Sequence, residues 1–318
     1  MLTLLFASAA ALNSPTWTRR EGLQTAALAA GGSALLTSTP ALAAVSYAQQ
    51  PGVNLNTGVN FPTCSFGLQI YDDEAARKLT LTALELGYRN FFASVLARNQ
   101  RGFAKAIKES GVPREDLFIC GSVLSNQVRG YDSAYQLSKQ GCQENMEAFA
   151  VGGIDYIDMI MLDYPGPDDD SIRGQWKALE EMKATRSIAV SNFSPSQLDA
   201  LSGMTKPTVN QLPYGVGFSR NYGGSGGMER VVAENKKRGV IVQAWSPLRR
   251  CLKGPAGEAC AAIGEKYGKS AAQVGLRYIA DTGATFTTQT RNPSHFKEDI
   301  NIFDFSLTKE EVAQLAAF

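Results

Sequence analysis

Length, composition and charge narrow the class of protein before any motif is considered. The chain has 318 residues, too many for one small domain and about right for one large domain preceded by a leader. It carries 31 basic and 30 acidic residues, so the concentrated positive surface of a nucleic-acid-binding protein is not expected. Hydrophobic residues make up 44% of the chain, which is enough to bury a large core and excludes a disordered body.

Cysteine and histidine usage excludes two further classes. The five cysteines are odd in number and scattered, which argues against a disulfide-built scaffold. His295 is the only histidine, so a Cys/His zinc site cannot form, and we predict no metal. Cys251 and Cys260 lie in one loop-to-helix region and could pair in an oxidising compartment, which leaves thiol chemistry as a minor alternative.

The N-terminal segment has the charge pattern of a targeting leader. Before Asp72 the only charged residues are Arg19, Arg20 and Glu21, and an uncharged run rich in Ala, Gly, Ser and Thr extends from Leu23 to Ala44. This pattern resembles a twin-arginine export signal that follows an organelle-entry segment. We therefore predict that residues 1–43 are a cleavable bipartite leader, which directs the protein to the plastid and on to the thylakoid lumen.

Two alternatives for this segment stay open. A bacterial-type export signal is less favoured, because the chain opens with the apolar run Leu2–Phe6 rather than with basic residues. An uncleaved membrane anchor would be long enough, since about 20 residues span a bilayer, but the Ala/Gly/Thr composition favours insertion only weakly. We expect a mature form that is not embedded in a membrane and that begins near Ala44.

The body of the chain alternates strand-type and helical patterns. Val53–Phe61, with Gly58 in its turn, is predicted as a hairpin. Helices are predicted at Asp72–Leu86, Asn99–Ser110 and Tyr131–Ala150, and helical sequence follows each later strand. The predicted strands are Cys64–Ile70, Asn90–Ser94, Leu117–Ser122, Tyr156–Leu162, Ser187–Ser191, Val209–Leu212, Gly239–Trp245 and Thr285–Thr288.

Eight strand–helix units between residues 53 and 318 predict an α/β fold, a (β/α)8 TIM barrel with an N-terminal hairpin. A doubly wound sheet is the alternative. It would need a G-x-G-x-x-G loop after an early strand, and no such loop occurs there. The glycine-rich stretch Tyr222–Gly227 is interpreted as a loop over the barrel mouth, the end at which the carboxyl ends of the strands meet.

Several stretches in the predicted order resemble the aldo-keto reductases, and the resemblance covers essentially all of residues 53–318. They are LNTGVNFP, ALELGYRN, AIKESGVPREDLFI, GIDYIDMIMLDYPGP, SIAVSNFSPSQLDAL, VNQLPY, VQAWSPL and NPSHFKEDINIFDFSLTKEEVAQL. The resemblance implies a barrel that binds NADPH at the carboxyl ends of its strands. It also implies a set of four residues, aspartate, tyrosine, lysine and histidine, that reduces a carbonyl.

All four catalytic positions of that family hold other residues here. Phe92 stands at the aspartate position, Ala97 at the tyrosine, Ser122 at the lysine and Asp163 at the histidine. Phe92 and Ala97 cannot transfer a proton, and losing one proton-transfer group typically costs about 10²–10⁴-fold in rate. We therefore assign no catalytic residue and predict a catalytically degenerate barrel, a pseudoenzyme.

The positions that contact the nicotinamide are better matched. The resemblance aligns Ser191, Asn192 and Gln211 with the residues that hydrogen-bond the carboxamide, and Trp245 with the stacking aromatic. The remaining predicted cofactor contacts on this side are Ser246 and Leu248. The alternative is that the polar members are only satisfied groups at strand ends.

The adenosine side departs from the family. Gln289 and Thr290 replace its lysine and serine, His295 replaces the arginine that grips the 2′-phosphate, and Asp299 replaces an asparagine. Each lost charge-assisted contact is worth about 1.5–3 kcal/mol, although Arg249, Arg250 or Arg291 could replace part of it. NADP binding should be weakened, so NADP, NAD or no cofactor all remain open.

Three functions follow as hypotheses. The first is a pseudoenzyme that binds a small apolar molecule, a residual nucleotide or an unidentified protein at a mouth formed by Phe91, Phe92, Tyr164 and Trp245. The second is an active NAD(P)H-dependent oxidoreductase with Asp163 or Tyr164 as proton donor, although the simpler interpretation of Asp163 is an acid hydrogen-bonded to a loop backbone. The third is a lumenal structural or assembly subunit, which an exposed apolar patch would favour.

Overall fold

The N-terminal hairpin closes one end of the barrel. In the computed structural model, which describes residues 51–218 and 227–318, β1 (Gly52–Asn54) pairs antiparallel with β2 (Asn60–Pro62). The ring of Phe61 lies 4.8 Å from that of Phe118 at the amino end of the barrel strands. The hairpin prediction is confirmed, whereas the predicted leader 1–43 and nearly all of the mouth loop 222–227 lie outside the described residues.

Eight parallel strands form the closed barrel that the sequence predicts. Thr287 pairs with Ser65 where the last strand meets the first, which closes the ring. The strands are β3 (Cys64–Gly67), β4 (Asn90–Phe92), β5 (Phe118–Leu124), β6 (Met159–Asp163), β7 (Ile188–Ser191), β8 (Val209–Pro213), β9 (Ile241–Trp245) and β10 (Thr285–Thr288).

Helices surround this barrel, and several begin at side chains that accept the first backbone N–H groups. Ser194, Ser270 and Thr308 each form a capping box with the Gln or Glu three residues later. The helices are α1 (Asp73–Glu85), α2 (Gln100–Ser110), α3 (Tyr131–Ala150), α4 (Asp169–Glu180), α5 (Pro195–Asp199), α6 (Gly227–Lys237), α7 (Gly254–Tyr267), α8 (Ala271–Asp281), α9 (Pro293–Ile300) and α10 (Lys309–Ala316).

Two apolar cores lie on the two faces of the barrel strands, because successive side chains alternate between the interior and the helices. Phe92, with Met161 and Ala189, belongs to the interior core. Phe91 belongs to the outer core and packs against Phe103 of α2, with ring centroids 5.6 Å apart. The prediction that Phe91 lines the mouth is therefore wrong, since it points away from the interior.

Two further expectations are addressed by the fold. All five cysteines are buried thiols, and Cys251 packs closely against Gly275 of α8 rather than pairing with Cys260. The structure therefore does not contain the disulfide considered above, between Cys251 and Cys260. Within residues 51–218 and 227–318, no helix combines the length and the apolar character needed to cross a bilayer.

Candidate functional site

The candidate site is the inner wall of the barrel at its mouth. The last inward-facing residues of neighbouring strands meet there, as parallel strands in a barrel require. The predicted site residues on this wall are Phe92, Ser122, Asp163, Ser191, Gln211 and Trp245. None of the eight described strands contains a tyrosine or a lysine at any position.

The loop after β4 carries Ala97, and its course is fixed by one asparagine. Asn99 Nδ2 donates to the carbonyl oxygens of Leu68 at 2.6 Å and Tyr71 at 2.9 Å, while Asn99 Oδ1 accepts from the N–H of Ser94 at 3.1 Å. Ala97 itself is half-buried. The loop thus keeps its position although the side chain at 97 has no polar atom.

Ser122 lies two residues before the carboxyl end of β5, which continues to Leu124, so it is deeper in the barrel than a strand-end residue. It is fully buried, and its Oγ accepts the N–H of Val95 at 3.3 Å. Asn145 of α3 donates to the carbonyl oxygen of Ser122 at 2.7 Å. The serine therefore serves as an anchor for the loop after β4 and carries no charge that could act on a neighbour.

Asp163, the last residue of β6, is the ionisable group of this wall. Only 8% of it is exposed, and burial raises its pKa from 3.8 to about 6, partly offset by a hydrogen bond from the Ser191 hydroxyl. Ser191 stands directly opposite Asp163 in the register of β6 and β7. Tyr164, which follows it, is 41% exposed.

A chain of side-chain hydrogen bonds continues from this carboxylate around the wall. Asn192 Nδ2 donates to Ser191 Oγ at 2.9 Å, and Trp245 Nε1 donates to Asn192 Oδ1 at 3.1 Å. Tyr164, Asn192 and Ser246 all have left-handed φ values of 51–68°, each directly after a barrel strand. Such strained backbone is frequent at ligand sites, so these three strand ends are held in a defined geometry.

Gln211 has a partner that the sequence analysis missed. Its Nε2 donates to Oε1 of Gln243 on the neighbouring β9 at 2.7 Å, and both side chains are buried. The alternation along β9 could have identified Gln243, because it lies two residues before the inward-facing Trp245. Leu248, by contrast, packs against the outer core, and Ser246 is exposed.

The predicted adenosine-side residues follow β10. Gln289 Nε2 donates to Gln69 Oε1 at 2.6 Å, and Thr290 Oγ1 lies 3.3 Å from His295 Nδ1. Asp299 is buried, and its carbonyl oxygen lies 3.9 Å from the thiol of Cys64. Arg291 follows Thr290 in the chain, and its guanidinium lies 5.0 Å from the Tyr71 ring centroid.

The fold is a (β/α)8 barrel, with a candidate ligand site at the carboxyl ends of its strands. The chain belongs to the aldo/keto reductase family, whose model matches residues 61–253 and 252–318. In the described residues no cluster of three or more His, Cys, Asp or Glu side chains could hold a metal ion.

Curated relatives and solved structures cover most of the chain. It is 29% identical to an aldo-keto reductase of Mycolicibacterium vanbaalenii over 277 residues, which are 85% of this chain and 92% of that protein. It is 30% identical to the glyoxal reductase of Bacillus subtilis, over 83% of this chain and 91% of that one. An aldo/keto reductase structure from Brucella melitensis superposes with a TM-score of 0.74 at 27% identity, covering 84% of this chain and 99% of that one.

Proposed function

We propose that this chain binds a nicotinamide dinucleotide or a small ligand at the barrel mouth and does not reduce carbonyls through a tyrosine–lysine pair. The observation that carries the proposal is the composition of the wall, since none of the eight barrel strands within residues 51–218 and 227–318 contains tyrosine or lysine. Ala97 and Ser122 stand at the two positions where the family resemblance implies that pair. Neither can supply an acidic phenol or the ammonium that lowers its pKa.

The residues at the barrel mouth fit the nicotinamide half of a dinucleotide better than the adenosine half. Ser191, Asn192 and Gln211 offer hydroxyl and carboxamide groups on adjoining strands, and the half-buried Trp245 offers a ring face. A bound dinucleotide would supply hydride. On the adenosine side the predicted contacts Gln289 and Thr290 are uncharged, which supports a weakened preference for the 2′-phosphate of NADP.

A titration of the full chain with NADPH and with NADH tests the proposal. Tryptophan fluorescence should change on binding, while an aldehyde should cause no steady oxidation of NADPH. Trp245→Ala should weaken binding, whereas Trp245→Phe, which keeps an aromatic face and loses only the donor to Asn192, should retain most of it. Steady aldehyde-dependent turnover would overturn the assignment.

A second candidate function rests on the position of Asp163, a buried acid at the end of β6 whose pKa burial raises to about 6. A carboxyl group with that pKa is protonated often enough near neutrality to act as a general acid. An oxidoreductase of this kind would lose rate as the pH rises above about 6. Asp163→Asn should abolish its turnover without preventing nucleotide binding.

The leader is part of the same proposal. We propose that residues 1–43 direct the protein to the thylakoid lumen through twin-arginine export and are then removed. The support is the pair Arg19–Arg20 followed by the uncharged run up to Ala44. N-terminal sequencing of the native protein should begin near Ala44, and a start at Met1 would contradict the proposal.

A further inference from the structure

Of the four positions that the family resemblance makes catalytic, one carries an acid, Asp163, whose ionised form accepts hydrogen bonds. At the four positions discussed above, Phe92 and Ala97 carry no polar side-chain atom, and Ser122 Oγ already accepts the Val95 N–H. Asp163 is the remaining member. Above about pH 6 its carboxyl group is mostly ionised, and an ionised carboxylate only accepts hydrogen bonds. Tyrosine, lysine and histidine at three of these positions would instead be donors suited to a carbonyl oxygen. At position 163 an acceptor therefore stands where the family resemblance implies a donor.

The donors around Asp163 are directed at one another rather than into the mouth. Trp245 Nε1 donates to Asn192, and Asn192 Nδ2 donates to Ser191 Oγ. Ser191 supplies one hydrogen bond to the carboxylate. A carboxylate has about four lone-pair sites, so the Asp163 oxygens keep acceptor capacity while being more than nine-tenths buried. A buried acceptor of this kind favours a ligand that brings a donor.

The side of this carboxylate that faces the barrel interior is apolar. Beneath it, two residues earlier on the inner faces of their strands, lie Met161 and Ala189, which share the interior core with Phe92. Asp163 is also buried, while Tyr164, the next residue, is exposed. A ligand that reaches Asp163 must therefore leave water and meets this apolar interior.

We propose that the mouth recognises an apolar molecule with a hydrogen-bond donor as its head group, a hydroxyl or an ammonium, seated on Asp163. It discriminates against the same carbon skeleton when the head is a ketone or a carboxylate. The inference rests on the proposed function, because it requires the donor set of an active reductase to be absent. It adds the chemical class of the ligand.

A matched ligand series tests this preference. We would measure binding of 1-phenyl-2-propanol, 1-phenyl-2-propylamine, benzyl methyl ketone and phenylacetate to the full chain by calorimetry at about pH 8, where Asp163 is mostly ionised. The alcohol and the amine are expected to bind at least about tenfold more tightly than the ketone and the carboxylate. If the amine binds more tightly than the alcohol, the ammonium is the preferred head group. If the two bind with equal affinity, the site recognises a hydrogen-bond donor irrespective of its charge. A ketone that binds as tightly as the alcohol, or a series in which nothing binds, overturns the proposal.

Two variants connect the preference to the carboxylate. Asp163→Asn replaces two acceptor oxygens by one acceptor and one donor, so it should admit the ketone and lose at least about tenfold in amine affinity. Ser191→Ala raises the pKa of Asp163 but keeps the carboxyl group, so at about pH 8, where it is still mostly ionised, the variant should keep the ranking. An unchanged ranking in a folded Asp163→Asn variant refutes the inference. Parallel NADPH titrations separate the two proposals. If the chain binds NADPH but shows no preference for donor head groups, only the head-group inference is refuted. If it prefers donor head groups but does not bind NADPH, the proposed function keeps the small ligand and loses the nucleotide.

Discussion

The buried carboxyl of Asp163 predicts how stability depends on pH. Its pKa is about 6 in the folded chain against an ordinary 3.8, so between those values the folded state holds a proton that the unfolded state has released. The proton stabilises the fold at low pH, and this stabilisation is lost as the pH rises through about 6. Integrated over the whole range, the difference amounts to about 3 kcal/mol of unfolding free energy.

Asp163→Asn isolates this contribution, because the amide does not titrate while every other carboxyl is shared with the parent chain. Urea unfolding of both proteins at about pH 4.5 and about pH 8 should show the variant gaining about 2 kcal/mol relative to the parent between the two conditions. Ser191→Ala, which removes the hydrogen bond that stabilises the ionised form, should steepen the dependence. The same stability difference at both pH values would refute the reasoning.

Three other substitutions have definite expectations, each measured by chemical denaturation. Gly102→Ala would place a methyl group 1.9 Å from the carbonyl oxygen of Asp73, so the contact between α1 and α2 must open and about 1–3 kcal/mol or more should be lost. Asp158→Ala leaves the Arg114 guanidinium, 2.7 Å from its carboxylate, without its buried partner and should cost about 3–5 kcal/mol. Ser270→Ala removes the N-cap of α8 and should cost about 1 kcal/mol, whereas Ser270→Asn should be nearly neutral.

The elements were largely predictable because the strand and helix periods are clear along the chain. The predicted limits of α3 and β10, Tyr131–Ala150 and Thr285–Thr288, agree with the structure. The strand predicted from Tyr156 instead begins at Met159; just before it, the Asp158 carboxylate accepts the Ile119 N–H of β5 at 2.9 Å, where a main-chain carbonyl would otherwise pair, and it also binds Arg114. A local apolar pattern does not show such a polar contact with a distant residue.

Side-chain direction and cross-strand contacts were harder to predict. In the three-residue strand β4 the run Asn90–Phe92 fits either face, and only pairing with β5 decides that Phe92 is inside. The register of β6 against β7 likewise brings Ser191 beside Asp163. Gln69 meets Gln289 across the closing strands, 220 residues apart. Contacts of this kind depend on how the barrel closes, which composition and spacing do not specify.

The side chain of Asn99 fixes the path of the loop after β4 independently of which residue stands at position 97. Each of its three hydrogen bonds ends on a main-chain atom, so none depends on the side chain at Ala97. Mutations at that position can therefore alter the surface offered to a ligand while the polypeptide keeps its route. A reactive side chain could be removed from position 97, or introduced there, without redesigning the barrel.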